Sequence, residues 1–84
     1  MRPLEVLFSA GAAEVFRELP PAVQKRAERS IALAASYPGM HSLRRRGIME
    51  GYRYFVVKKY LFYYSFNADE LRISAIIPGM MAGA

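Results

Sequence analysis

The first hydrophobic residues of the chain alternate with other residues and predict a short strand. These positions are Leu4, Val6 and Phe8. Ser9 follows at once and can cap a helix, because its hydroxyl accepts a hydrogen bond from the first helical turn. Apolar residues then recur with helical spacing at Ala12, Val15, Phe16 and Leu19. Pro20 cannot continue a helix, so a short helix is predicted directly after the strand.

A second amphipathic helix is predicted to start at Pro21, because proline suits the first helical turn. Its apolar stripe consists of Val23, Ala27, Ile31 and Ala34. Its polar face consists of Gln24, Lys25, Glu28 and Arg29. Tyr37 precedes Pro38 and is therefore disfavoured in helical geometry, so the helix is predicted to end there. The two helices are predicted to form a hairpin.

Three strands are predicted in the second half of the chain, where β-branched and aromatic residues dominate. They cover residues 52–58, 60–67 and 71–77. Their connections are short, so consecutive strands must run antiparallel. Residues 40–51 are basic and irregular, and residues 78–84 are predicted to be a loose tail.

This order of elements predicts an α+β fold in a single domain of residues 1–84. An N-terminal strand leads into a two-helix hairpin and then into a three-stranded antiparallel meander. The helices are expected to pack on one face of a four-stranded sheet, which we predict to be antiparallel throughout. Alternate residues of each strand therefore face the helices, and the others face outward.

In the strand of residues 60–67, one set of alternate residues is entirely aromatic, so we predict that this set faces the core. This choice determines which residues of the other strands face inward. The inward positions are then Tyr52, Tyr54, Val56, Tyr60, Phe62, Tyr64, Phe66, Leu71, Ile73, Ala75 and Ile77. The outward positions are Arg53, Phe55, Val57, Leu61, Tyr63, Arg72, Ser74 and Ile76. A mixed apolar and basic surface of this kind predicts a partner. The alternative is a register shifted by one residue, which would exchange the two faces.

The net charge of +5 is concentrated in one part of the chain. Residues 41–60 contain one acidic residue, Glu50, and six basic ones, which are Arg44, Arg45, Arg46, Arg53, Lys58 and Lys59. Such a zone favours an acidic partner, either nucleic acid, the ribosome or an acidic protein segment. The alternative is a solvated face that only keeps the protein soluble.

Several classes of chemistry are excluded or disfavoured by composition. The chain has no cysteine, which excludes disulfides and thiolate sites. His41 is the single histidine, and its neighbours are Ser42 and arginines, so we expect a solvated loop residue and neither a metal site nor a cofactor. No uncharged run reaches membrane-spanning length, and residues 1–8 lack the pattern of a signal peptide. A cytoplasmic protein without a membrane partner is expected.

Four stretches together resemble the RelE/ParE superfamily of type II toxins over nearly the whole chain. They are VLFSAGAAEVFREL, the second helix ending in YPGM, GYRYFVVKKYLFYYSF, and ELRISAII. Family members show a similar glycine-tyrosine-arginine strand, a short hairpin, a strand with an aromatic near Tyr64 and an apolar last strand.

The resemblance implies a growth-inhibiting toxin of a toxin–antitoxin (plasmid stabilisation) module, kept inactive by a cognate antitoxin. RelE-like members cleave messenger RNA on the ribosome, and ParE-like members poison DNA gyrase. Arg53 matches one basic position of the RelE-like pattern, but Leu61 and the segment PGMMAGA replace two others. YLFYY fits the ParE-like branch better, although Pro78-Gly79 stands where that branch has histidine-glycine. We therefore expect a toxin that binds its target rather than an enzyme.

The residues assigned to each expected role follow from the resemblance and from the predicted faces. Target or nucleic-acid contacts are assigned to Arg44, Arg45, Arg46, Arg53, Lys58, Lys59 and Arg72. Antitoxin contacts are assigned to Phe55, Val57, Leu61, Tyr63 and Ile76. The alternative, a ribosome-dependent endoribonuclease, would use Arg53, Tyr63, Arg72 and Glu50. A degenerate toxin that retains only antitoxin binding is a third reading, and a homodimer is left open.

Overall fold

A computed structural model of the protein describes residues 2–79 and has the predicted α+β class. The elements are β1 (Glu5–Phe8), α1 (Ala10–Glu18), α2 (Pro21–Ser36), β2 (Arg53–Val57), β3 (Tyr60–Phe66) and β4 (Glu70–Pro78). The last strand includes Pro78, so the predicted tail does not begin there. Residues 80–84 of that prediction lie outside the described residues.

Both helices begin and end where the sequence predicts. The Ser9 hydroxyl accepts a hydrogen bond from the Ala12 amide at 3.1 Å and donates one to the Ser74 carbonyl at 3.0 Å. It therefore caps α1 and also fastens that helix to β4. Pro21 opens α2, and Tyr37 is its C-terminal cap. The predicted stripe of α2 is buried at all four positions, Val23, Ala27, Ile31 and Ala34.

The sheet is mixed, which corrects the prediction of a wholly antiparallel one. Its strand order is β1-β4-β3-β2. β3 runs antiparallel to both of its neighbours, whereas β1 lies parallel to β4. No tight turn joins β1 to β4, because two helices and two strands separate them in the chain. Short connections therefore determine that β2, β3 and β4 run antiparallel, but they do not determine the direction of β1.

The predicted face of β2 is wrong. A two-residue turn, Lys58-Lys59, pairs Val57 with Tyr60 and Phe55 with Phe62. Directly opposed residues lie on the same face of a sheet, so Phe55 and Val57 face the helices together with Phe62. Phe55 is 6% exposed, whereas Val56, predicted to be core, is 57% exposed. The observed register of β2 against β3 differs from the predicted one by one residue, so the two faces of β2 are exchanged.

A register shift also changes the predicted face of β4. Tyr63 pairs with Ala75 but Tyr64 pairs with Ile73, so Ser74 is the extra residue of a bulge. Beyond the bulge the alternation is reversed. Ile76 lies opposite Phe62 and is buried, although it was predicted to face outward. Ala75 and Ile77 were predicted to face the helices, but they lie opposite Tyr63 and Leu61 on the other face.

One hydrophobic core joins the two helices to a single face of the sheet, as predicted. α1 contacts β4 and β1, and α2 contacts β2 and β1. The core residues are Ala12, Leu19, Val23, Ala27, Ile31, Ala34, Phe55, Val57, Phe62, Tyr64, Leu71, Ile73 and Ile76. The helices are linked by the Gln24 side-chain amide, which donates to the Phe16 carbonyl at 2.7 Å. β2 is an edge strand of the sheet.

Candidate functional site

The arginine-rich loop, residues 38–46, lies along the side of β2 that faces away from β3. Leu43 forms an isolated antiparallel bridge with Arg53. The Tyr54 amide donates to the Ser42 carbonyl at 3.0 Å, and the Arg44 amide donates to the Tyr52 carbonyl at 2.7 Å. These bonds hold the loop against the first half of the strand only.

Basic side chains from three segments surround this terminal strand, and we call them the basic edge. They are Arg26 and Arg29 of α2, Arg44, Arg45 and Arg46 of the loop, and Lys58 and Lys59 of the turn after β2. An open cleft between the loop and the strand is lined by Ser42, Leu43, Arg44, Arg45, Arg46 and Tyr54. A second cleft between α2 and the strand is lined by Arg26, Arg29, Ser30, Val56 and Val57. Among the described residues, neither lining contains an acidic side chain.

Four cations of the basic edge lack a carboxylate partner within the part of the chain that the structure describes. Within residues 2–79, Arg45, Arg46, Lys58 and Lys59 form no ion pair. An ion pair joins Arg72 to Glu70 at 3.0 Å, on β4. A set of like charges that outnumbers the carboxylates around it produces a positive potential that attracts anionic partners. The basic residues of the predicted zone therefore lie around one strand of the fold. Arg26 and Arg29 of α2 lie there too, which the sequence did not predict.

Arg53, predicted to contact the target, has an internal role. Its Nη1 donates to the His41 carbonyl at 2.7 Å, and its guanidinium carbon lies 5.9 Å from the centre of the Phe66 ring. The side chain thus ties the loop to the sheet. Arg53 is opposite Tyr64 and on the face that the helices cover.

The four residues of the nuclease alternative are not brought together in one open site. Arg53 lies on the helix-covered face, whereas Arg72, opposite Ser65, lies on the other face and pairs with Glu70. Tyr63 is 1% exposed. Glu50 is exposed in the turn that follows Gly47.

The residues predicted to contact an antitoxin do not form an exposed surface. Phe55, Val57 and Ile76 are buried on the helix-covered face, so their outward placement was wrong. Tyr63 lies on the predicted face but is buried, and its ring centre is 5.7 Å from that of Tyr54. Leu61 is half-buried. The apolar side chain that β2 does expose is Val56.

His41 is not the solvated loop residue that the sequence predicts. Its ring centre lies 5.1 Å from that of Phe55 and 6.1 Å from that of Tyr64. Its Nε2 is buried and has no hydrogen-bond partner among residues 2–79. Burial lowers the pKa of the His41 imidazole from its ordinary value of 6.5. The contacts come from strands distant in sequence, so no local signal could have revealed them.

Tyr64 completes the surroundings of His41. Its hydroxyl donates to the Pro38 carbonyl at 2.7 Å, which fixes the turn between α2 and the loop. Burial raises the pKa of the Tyr64 phenol, although the Arg53 charge and a backbone hydrogen bond from His41 oppose that rise. The phenol therefore stays protonated and acts as a hydrogen-bond donor at neutral pH.

Residues 2–79 contain no group of three or more His, Cys, Asp or Glu side chains that could hold a metal ion. In the same range, no helix has the length and apolar character needed to cross a membrane. No protein-family model matches the chain, and no curated protein matches it at significant similarity.

Proposed function

We propose that the protein is the toxin of a type II toxin–antitoxin (plasmid stabilisation) module, neutralised by a cognate antitoxin and inhibiting growth by binding its target. The target we propose is DNA gyrase, as in the ParE-like branch that the sequence resembles. The observation that carries the proposal is the basic edge, where cations from three segments surround one terminal strand without acidic neighbours in their clefts.

Binding rather than catalysis is favoured by the placement of the nuclease candidates. A general acid or base must come within hydrogen-bond reach of the substrate. Tyr63 is almost fully buried, and Arg53 and Arg72 lie on opposite faces of the sheet. The exposed cations Arg45 and Arg46 can contact phosphates or carboxylates without any chemical step.

The second half of β2 supports the proposal that an acidic antitoxin segment binds here. The Tyr54 amide points away from β3, because it donates to Ser42. Backbone groups alternate along a strand, so those of Val56 point the same way. No backbone group of residues 2–79 pairs with Val56 on that side. An extended segment could add there as a further strand, with its acidic side chains near Arg26 and Arg29.

Expression of the chain in a bacterium, with and without the neighbouring gene, tests the proposal. We expect growth to stop when the chain is expressed alone and to resume when the neighbouring gene is co-expressed. Normal growth in the absence of that gene would overturn the proposal of an active toxin.

The target is tested separately with purified protein and with RNA from induced cells. A gyrase poison should produce cleaved DNA in a reaction of gyrase, plasmid and the protein. Mapped transcript ends within translated codons, with no cleaved DNA, would instead support the ribosome-dependent nuclease.

A further inference from the structure

The arginine-rich loop is joined to the folded body at His41. The ring of His41 packs against Phe55 of β2 and Tyr64 of β3, and its backbone carbonyl accepts the hydrogen bond of Arg53. One residue further on, the Ser42 carbonyl begins the pairing of the loop with β2 by accepting from the Tyr54 amide, and the Arg44 amide continues it. A change at His41 is therefore transmitted directly to the loop that carries Arg44, Arg45 and Arg46.

The groups that face His41 make a protonated imidazole unfavourable. Arg53 of β2 is cationic, Tyr64 of β3 presents a neutral hydroxyl that already donates to Pro38, and Phe55 is apolar. The segment itself continues into three arginines. No carboxylate of the described chain forms an ion pair or hydrogen bond with His41. The protonated ring would thus carry a buried N–H donor at Nε2 without an acceptor, close to an existing positive charge.

We propose that His41 is an acid-sensitive latch: when its ring is neutral it holds the loop of residues 38–46 against the sheet, and when its ring is protonated it releases that loop. Release separates Ser42 and Arg44 from Tyr54 and Tyr52, and it frees the Arg53 guanidinium from the His41 carbonyl. The latch stands on the contacts of His41 and does not depend on the proposed toxin function.

The direction of the pH effect follows from which state binds the proton more tightly. The closed state has a His41 pKa below 6.5, because burial disfavours the charged ring, whereas the open state has a solvated ring with the ordinary value. Above pH 6.5 the ring is neutral in both states, and the closed state has its full stability relative to the open state. That stability decreases as the pH falls below 6.5. Between 6.5 and the lower closed-state pKa, the open population should rise by up to about tenfold for each pH unit.

A nuclear magnetic resonance titration of the intact chain from pH 8 to pH 5 tests the latch. The chain has one histidine, so a single imidazole titrates. We expect its pKa to be below 6.5, and we expect relaxation dispersion at the Arg44 and Tyr54 amides to report a growing open state as the ring is protonated. Amides of α1 should not respond, because opening is confined to the loop.

His41→Phe is the matched control, since it keeps a ring between Phe55 and Tyr64 but cannot be protonated. Its Arg44 and Tyr54 amides should show no pH-dependent opening. If this variant does not fold, His41→Asn replaces it, and the titration of the natural chain still decides the question. The latch is overturned if His41 titrates at or above 6.5, if the loop amides do not respond to its titration, if α1 opens with them, or if the control responds equally.

Discussion

Replacing Phe55 by alanine removes the side chain that most clearly distinguishes the observed register of β2 from the register one residue away. Phe55 is 6% exposed, and its ring lies 5.1 Å from that of Phe62 at an interplanar angle of 12°. It also contacts the rings of His41 and Tyr64. In the shifted register this side chain would face outward and Val56 would be core.

The expected loss of stability is large because nearly the whole side chain is buried. Phenylalanine-to-alanine changes in cores cost about 3–5 kcal/mol, and the stacked pair with Phe62 contributes about 0.5–1.5 kcal/mol of such a loss. An 84-residue domain has a free energy of unfolding of about 4–13 kcal/mol. Phe55→Ala should therefore remove a major part of the stability, whereas Val56→Ala, at a position 57% exposed, should cost less than about 1 kcal/mol.

Urea unfolding followed by far-ultraviolet circular dichroism measures both variants, since the chain has no tryptophan to report its folding. Phe55→Leu gives a second core variant that retains enough stability to be measured if Phe55→Ala unfolds. A loss for Val56→Ala equal to or greater than the loss for Phe55→Ala would refute the observed register.

Three further changes test other parts of the structure. Ser9→Ala removes the hydroxyl that caps α1 and donates to the Ser74 carbonyl, so the free energy of unfolding measured in urea should fall by about 1–2 kcal/mol. The control, Ser65→Ala at an exposed strand position, should change that free energy by less than about 0.5 kcal/mol. Lys58→Gly should raise the melting temperature, because Lys58 has a φ of 56° that costs a side-chain residue about 1–2 kcal/mol, and Lys59→Gly should not. Glu70→Gln removes the exposed ion pair with Arg72, so the unfolding free energy in low salt should fall by less than about 1 kcal/mol, and a larger fall would contradict its surface placement.

The helices could be predicted from the sequence because their signals are local. Ser9, Pro20 and Pro21 mark the ends of the helices, and the apolar stripe of α2 has one period throughout. Such signals act within a few residues and do not depend on what the helix packs against.

The faces of β2 and β4 could not be predicted in the same way, because each depends on one residue. The turn Lys58-Lys59 has two residues and lacks the glycine or asparagine that usually marks such turns, so the pairing of Val57 with Tyr60 had no local signal. Ser74 is an ordinary strand residue in sequence, yet it is the extra residue of the bulge that reverses the face of Ile76.

The positive charge of the candidate site could be predicted from the sequence, but the full set of residues that form the site could not. The arginines and lysines of residues 44–59 are visible in the sequence, whereas Arg26 and Arg29 join them only because α2 packs beside β2. Arg53 and His41 belong to the same stretch but are used inside the fold, through contacts that join distant segments.

The claim on which the functional account depends is that the basic edge binds the target. Growth of a bacterium after induction should continue when the chain carries Arg45→Glu and Arg46→Glu, because reversing these two exposed charges lowers the positive potential along β2. The control carries Arg2→Glu and Arg17→Glu, which change the net charge equally at exposed positions beside β1 and in α1. With both variants shown to be folded by circular dichroism, the account predicts that the control stops growth and the edge variant does not. Growth arrest by the edge variant, equal to that of the control, would contradict it.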